Sequence, residues 1–156
     1  MEIYVLDEDL TKSVQYLPDT YVIKLSSQMQ YMLCTVYYNL GISNELEMIC
    51  RPVELNSDVS NWLLESLDNW LWLKEYAQLV QKEYQYRFGE DKIRFDNILE
   101  RLVAPPLDSK GITRLNKGIT CHYSSMNMIN AYRQYFIDYK QHLKQYTRRE
   151  VPDWFI

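Results

Sequence analysis

The sequence predicts a mainly α-helical single domain over residues 1–156, a helical bundle around a long central helix, with an optional short N-terminal β-strand. Three observations predict it. Apolar residues recur every three or four positions through two long windows, as one buried helix face requires. Gly and Pro are scarce, at 4 and 5 residues, and fall mostly between those windows. The chain is 47% hydrophobic, too apolar for intrinsic disorder and long enough to bury a core.

Each element follows in order. Ile3-Tyr4-Val5-Leu6 is β-prone and admits a short strand. Pro18-Asp19 starts the first long helix, with Asp19 or Thr20 as its cap. Val22, Leu25, Met29, Met32, Leu33 and Val36 form its buried stripe, and Gly41 stops it. Residues 42–57 contain Pro52 and read as a loop. Ser57-Asp58 caps a central helix running to about Phe88, with Gly89 at its end. Its stripe is Val59, Trp62, Leu63, Leu67, Trp70, Leu71, Leu73, Ala77, Val80 and Tyr84. Asp91 caps a shorter helix to about Val103, closed by Pro105-Pro106. Residues 105–122 hold Gly111 and Gly118 and read as a flexible basic loop. A last helix runs from about Ser125 to Tyr146. The tail Val151-Pro152-Asp153-Trp154-Phe155 is apolar enough to dock back on the body.

Composition narrows the function. Net charge is −4, but it is unevenly placed: residues 1–58 carry nine acidic and three basic side chains, and residues 110–149 carry eight basic and one acidic. The basic end can face an anion. No apolar run approaches a membrane span, and the acidic opening lacks a secretory n-region. Cys34, Cys50 and Cys121 are an odd, widely spaced set, which favours reduced thiols and a cytoplasmic setting. No glycine-rich phosphate loop, nucleophile elbow or zinc spacing is present, so no metal or other cofactor is expected. Cys121-His122 and His142 are too few and too far apart to make a ligand set, and read as a plain loop pair and a surface residue.

Aromatic residues dominate what remains: 14 Tyr and 4 Trp against 4 Phe. Three constellations hold many of them. Asp19, Tyr21, Lys24, Gln28 and Tyr31 open the first long helix, and 21, 24, 28 and 31 share a face. That face can hold a phosphate or carboxylate, or it is an amphipathic surface with a lysine lying along it. Trp62, Glu65, Asn69 and Trp72 on the central helix continue to Glu83, Tyr84 and Arg87. An aromatic cleft with Glu and Asn suits a planar hydrogen-bonding ligand; the alternative is a structural network, with Glu83–Arg87 an i,i+4 ion pair. Tyr132, Arg133, Tyr135, Tyr139, Lys140 and Lys144 set aromatics beside cations on the last helix. They suit a nucleobase-bearing or phosphorylated ligand, or a core edge beside a solvated basic face.

The segments Ile3–Asp7, Asp19–Lys24, Trp62–Ser66, Asn69–Leu73, Glu83–Gly89, Ala131–Phe136 and Val151–Phe155 together resemble a family of small uncharacterised proteins of tailed phages. Relatives of that pattern often carry His at Tyr21, at Ser57 and near Lys92, and Glu near Gln28. Such an acid–base set is largely missing here. The aromatic and amide positions are kept, which implies binding over catalysis. A fainter similarity is to pyrimidine-dimer DNA glycosylases, whose nucleophile is an N-terminal amine. The bulky Glu2 retains Met1 and displaces that amine, and an acidic chain is poorly suited to duplex DNA.

These readings leave three functions. The first is a phage-encoded binding protein for a nucleotide-like small molecule, acting in the host bacterial cytoplasm, where its role would be to sequester a nucleotide immune signal. Its expected ligand residues are Asp19, Tyr21, Lys24, Gln28, Glu65, Asn69, Trp72, Arg87, Tyr132 and Arg133. The second is an N-glycosidase acting on a nucleotide or DNA base, with Glu65 or Glu83 as the carboxylate that stabilises an oxocarbenium-like state. The third is a protein-interaction inhibitor of a host factor. Convergence of these residues on one pocket favours the first two, and scatter favours the third.

Overall fold

A computed structural model describes residues 2–42, 52–89, 98–115, 123 and 125–156. The helices among them are α1 (Leu10–Gln15), α2 (Asp19–Asn39), α3 (Asp58–Glu65), α4 (Leu67–Phe88), α5 (Ile98–Arg101) and α6 (Met128–Tyr139), followed by a 3-10 turn over Gln141–Leu143. The predicted mainly α bundle is the observed fold. Its principal packing is α2 against α4, with α1 and α3 also seated on α4. Trp70, Leu73, Tyr76 and Val80 from α4 meet Met29, Met32, Leu33 and Val36 from α2 in one buried core.

The described residues contain no strand. Ile3, Tyr4, Val5 and Leu6 are nevertheless all buried. Both faces of this segment are covered, so its backbone is satisfied by side chains rather than by a ladder. Ser13 Oγ accepts from Leu6 N at 2.8 Å. Tyr76 Oη donates to Tyr4 O at 2.6 Å, and Arg133 Nε donates to Leu6 O at 2.7 Å.

Helix boundaries depart from expectation in three places. Pro18, not Asp19 or Thr20, precedes the first turn of α2, and its carbonyl accepts from Tyr21 N and Val22 N. Asp19 is thereby released for a distant partner. The central helix is two helices: Ser66 takes an extended conformation, φ −157° and ψ 142°, and its Oγ accepts from Asp68 N as the cap of α4. The last helix stops at Tyr139 instead of Tyr146. Gly41 does end α2 as expected, at φ 66°, where a side chain would be strained. Ser57 caps α3 by accepting from Ser60 N. The expected Asp91 cap lies outside the described residues.

The loop expected to be flexible is pinned where it is described. Leu67 N donates to Asp108 O at 2.9 Å, Ser109 Oγ to Asp68 at 2.6 Å, Gly111 N to Asp68 at 2.8 Å and Lys110 N to Ser66 Oγ at 3.1 Å. The break at Ser66 and residues 108–111 therefore hold each other. The apolar tail docks as predicted, with Pro152 and Phe155 buried. The expectation of reduced thiols is corrected at Cys34, which is disulfide-bonded. The cysteine argument for a cytoplasmic setting falls with it. Cys50 and Cys121 lie outside the described residues. No helix among the described residues is long and apolar enough to cross a membrane.

Candidate functional site

The residues singled out from the sequence separate into three groups. The first is a buried ionic network joining α2, α4 and the C-terminal segment. Arg87 Nε donates to Glu83 Oε1 at 2.7 Å, and Arg87 Nη1 donates to Asp19 Oδ1 at 3.0 Å and to Leu17 O at 2.8 Å. Arg87 Nη2 donates to Gln15 O at 2.9 Å. Arg149 forks onto both oxygens of Glu83 at 2.9 Å. Asp19 accepts from Thr147 N and, at 2.7 Å, from Thr147 Oγ1. Arg87, Asp19 and Glu83 are each at least 95% buried. Expected as ligand-binding or catalytic groups, they are turned toward one another and toward backbone carbonyls.

Burial alone would push the Glu83 carboxyl up, but the guanidiniums of Arg149 and Arg87 outweigh it and hold the carboxyl below the ordinary range. Its folded value therefore lies below its unfolded one. The stabilisation it gives is present above the usual glutamate value, about 4.3, and is lost as pH falls through the lower, folded value. Thermal melts between pH 7 and pH 3 check this. The expected result is a falling midpoint below about pH 4.3, with the fall reduced in Glu83→Gln.

The second group surrounds Tyr4. Its ring packs against Tyr21 at 4.9 Å, Tyr132 at 5.6 Å and Phe136 at 4.9 Å. The Tyr4 hydroxyl donates to Glu2. Burial, with Glu2 nearby, pushes the Tyr132 phenol up to about 12, and burial raises Tyr4 as well, so both stay neutral near pH 7. Lys140 lies over the Tyr21 and Tyr135 rings at 6.0 and 5.3 Å. Two predicted constellations thus meet, but as a packed aromatic cluster. Arg133, the third expected cation, pairs with Asp7 at 3.0 Å and lies over Trp154 at 5.3 Å. Lys24 is exposed on α2, and Gln28 is half-buried.

The third group is a cleft of about 510 Å³ between the N-terminal segment, the α3–α4 break, residues 112–115 and the start of α6. Trp62 and Trp72 form an aromatic corner in it, edge to face at 5.9 Å. Trp72 also stacks on Tyr76 at 5.4 Å. Leu10, Leu115, Met128 and Ile129 extend the apolar lining. Its polar groups are Glu8, Thr113, Arg114 and Asn127.

The break at Ser66 makes this corner. It parts α3 from α4, and Asn69 bridges the two. Asn69 Nδ2 donates to Trp62 O and to Thr113 Oγ1, both at 2.8 Å, and Asn69 Oδ1 accepts from Thr113 N at 2.9 Å. Trp62 O is among the last carbonyls of α3, which lack helical donors. Trp62 Nε1 donates to Thr113 O at 2.9 Å, and Thr113 Oγ1 donates to Glu65 at 2.5 Å. Asn69 and Glu65 thus shape the cleft through Thr113. Asn69→Ala leaves the buried Trp62 carbonyl and the half-buried Thr113 N–H without that partner. It is expected to cost about 1–3 kcal/mol in urea unfolding.

Of the expected ligand residues, Trp72 alone lines this cleft. Sequence reasoning missed Glu8, Arg114 and Asn127. The available signal was local for Asn127, which caps α6 by accepting from Asn130 N at 2.8 Å. For Glu8 and Arg114 there was none, because their placement depends on long-range packing. Cys121 and His122 lie outside the described residues. Among the described residues no group of three or more His, Cys, Asp or Glu side chains could hold a metal ion. Neither a protein-family model, nor a curated protein, nor a solved structure matches the chain.

Proposed function

We propose that this protein binds a small planar ring ligand in the Trp62–Trp72 cleft. The observation that carries the reading is the cleft itself: it is of ligand size, walled by two indoles and aliphatic side chains, and has few polar groups. A nucleobase or nucleoside belongs to this class. A polyphosphate fits it poorly, because Arg114 is the one cation among the described lining residues and the expected cations lie elsewhere. The resemblance to tailed-phage proteins supplies a setting, sequestration of a nucleotide-derived host signal, and it alone supports that role.

Titration calorimetry with indole, adenine, adenosine and adenosine triphosphate tests the reading. The neutral rings bind, the triphosphate binds no better than adenosine, and Trp72→Leu weakens binding by about tenfold or more, the worth of one stacked ring. Absence of binding across the set overturns it. The second reading is a docking surface for a protein partner. It is favoured by the scatter of the expected ligand residues and by the exposure of Ile112 and Met126 on the cleft.

A further inference from the structure

The cleft carries two charges that pair with no other described residue. Glu8 and Arg114 are exposed residues that line it from different segments. Neither side chain makes an ion pair or hydrogen bond with a described residue. Elsewhere the fold pairs Asp7 with Arg133, Asp19 with Arg87, and Glu83 with both Arg87 and Arg149. Opposite charges brought within 4 Å would form such a pair, so Glu8 and Arg114 stand further apart while sharing one cavity.

Their surroundings sharpen what they select. Thr113, between Ile112 and Arg114, has its hydroxyl taken by Glu65 and Asn69. Asn127 Oδ1 is taken by the α6 cap. The remaining lining is largely hydrocarbon and indole, which strengthens charge–charge interactions at its edge relative to open water. A ligand with one charge gains from one of these residues and is repelled by the other. A ligand with both charges gains from each.

We propose that the cleft selects an aromatic zwitterion, a planar ring bearing an amine that faces Glu8 and an anionic group that faces Arg114. This rests on the reading above that a planar ring occupies the cleft. The ring supplies apolar burial against Trp62 and Trp72, and the two charges set its orientation.

Four probes share one ring and differ in charge: indole, tryptamine, indole-3-propionate and L-tryptophan. They are titrated calorimetrically into the full chain, Glu8→Gln and Arg114→Gln. Tryptophan binds tightest to the unaltered chain. Glu8→Gln weakens tryptophan and tryptamine by about fivefold, the size of a partly exposed ion pair, and leaves indole unchanged. Arg114→Gln does the same to tryptophan and indole-3-propionate. Both residues are exposed, so melting midpoints stay at the unaltered value and report intact folding. If indole binds but neither substitution discriminates among the probes, the charge selection is overturned while the ring reading stands. Tightest binding by a singly charged probe also overturns it. If none of the four binds, the ring reading fails, and this inference with it.

Discussion

Arg87→Ala lowers the unfolding free energy by about 3–5 kcal/mol, the cost of leaving buried charges without their partner. The guanidinium is fully buried and bridges two carboxylates and two backbone carbonyls from three parts of the chain. Removing it leaves Asp19 with Thr147 and Glu83 with Arg149, and strands the carbonyls of Gln15 and Leu17. Lysine does not replace it, since a point charge cannot reproduce a planar fork that serves four acceptors. Arg149→Ala is milder, at about 1 kcal/mol, because that side chain is 28% exposed and water reaches it. Urea unfolding of the three variants checks the order. Equal losses for Arg87→Ala and Arg149→Ala would show that the network does not depend on its buried centre.

The second large effect is at the tail. Phe155 is fully buried against Phe136, with ring centroids 5.9 Å apart, and stacks on Trp154 at 5.4 Å. Phe155→Ala removes a whole ring from the core and is expected to cost about 3–5 kcal/mol. Its second consequence is local. The segment from Lys140 onward is held by Phe155, by Arg149 on Glu83 and by the Tyr146 hydroxyl on Tyr16 O at 2.8 Å. Weakening the first lets the segment open before the body unfolds. Limited trypsin digestion therefore cuts Phe155→Ala after Arg148 or Arg149 faster than the unaltered chain. Unchanged cutting with lowered global stability would mean the tail and body unfold as one unit.

The helical bundle was legible because α2 and α4 follow a 3.6-residue period for 21 and 22 residues, and the apolar stripe of each is buried apart from half-buried Leu67 and exposed Leu71. The docked tail was legible from its composition. The break at Ser66 was overlooked although a local signal exists: Ser66-Leu67-Asp68 is a capping pattern, hidden inside an apolar stripe that runs on through it. Residues 3–6 looked like a strand because β-prone chemistry also suits an extended segment buried on both faces, and no local pattern names the side chains that satisfy its backbone. For the candidate site the sequence supplied types but not partners. Asp19, Glu83 and Arg87 stood out as chemistry-bearing, and nothing local reveals that Thr147 and Arg149 close around them. Trp72 was found, whereas Glu8 and Arg114 enter the cleft only through contacts between distant segments.

The pairing of the N-terminal segment with α6 also bears on the order of folding. Arg133 reaches Leu6 O across 127 residues, and Thr147 reaches Asp19 across 128. Contacts of such separation are made late, after the entropy of closing a long loop has been met. During synthesis, α1, α2 and α4 can assemble while Ile3–Leu6 still waits for α6 to leave the ribosome. Until then four apolar side chains lack their cover, which leaves the nascent chain prone to aggregation before α6 emerges.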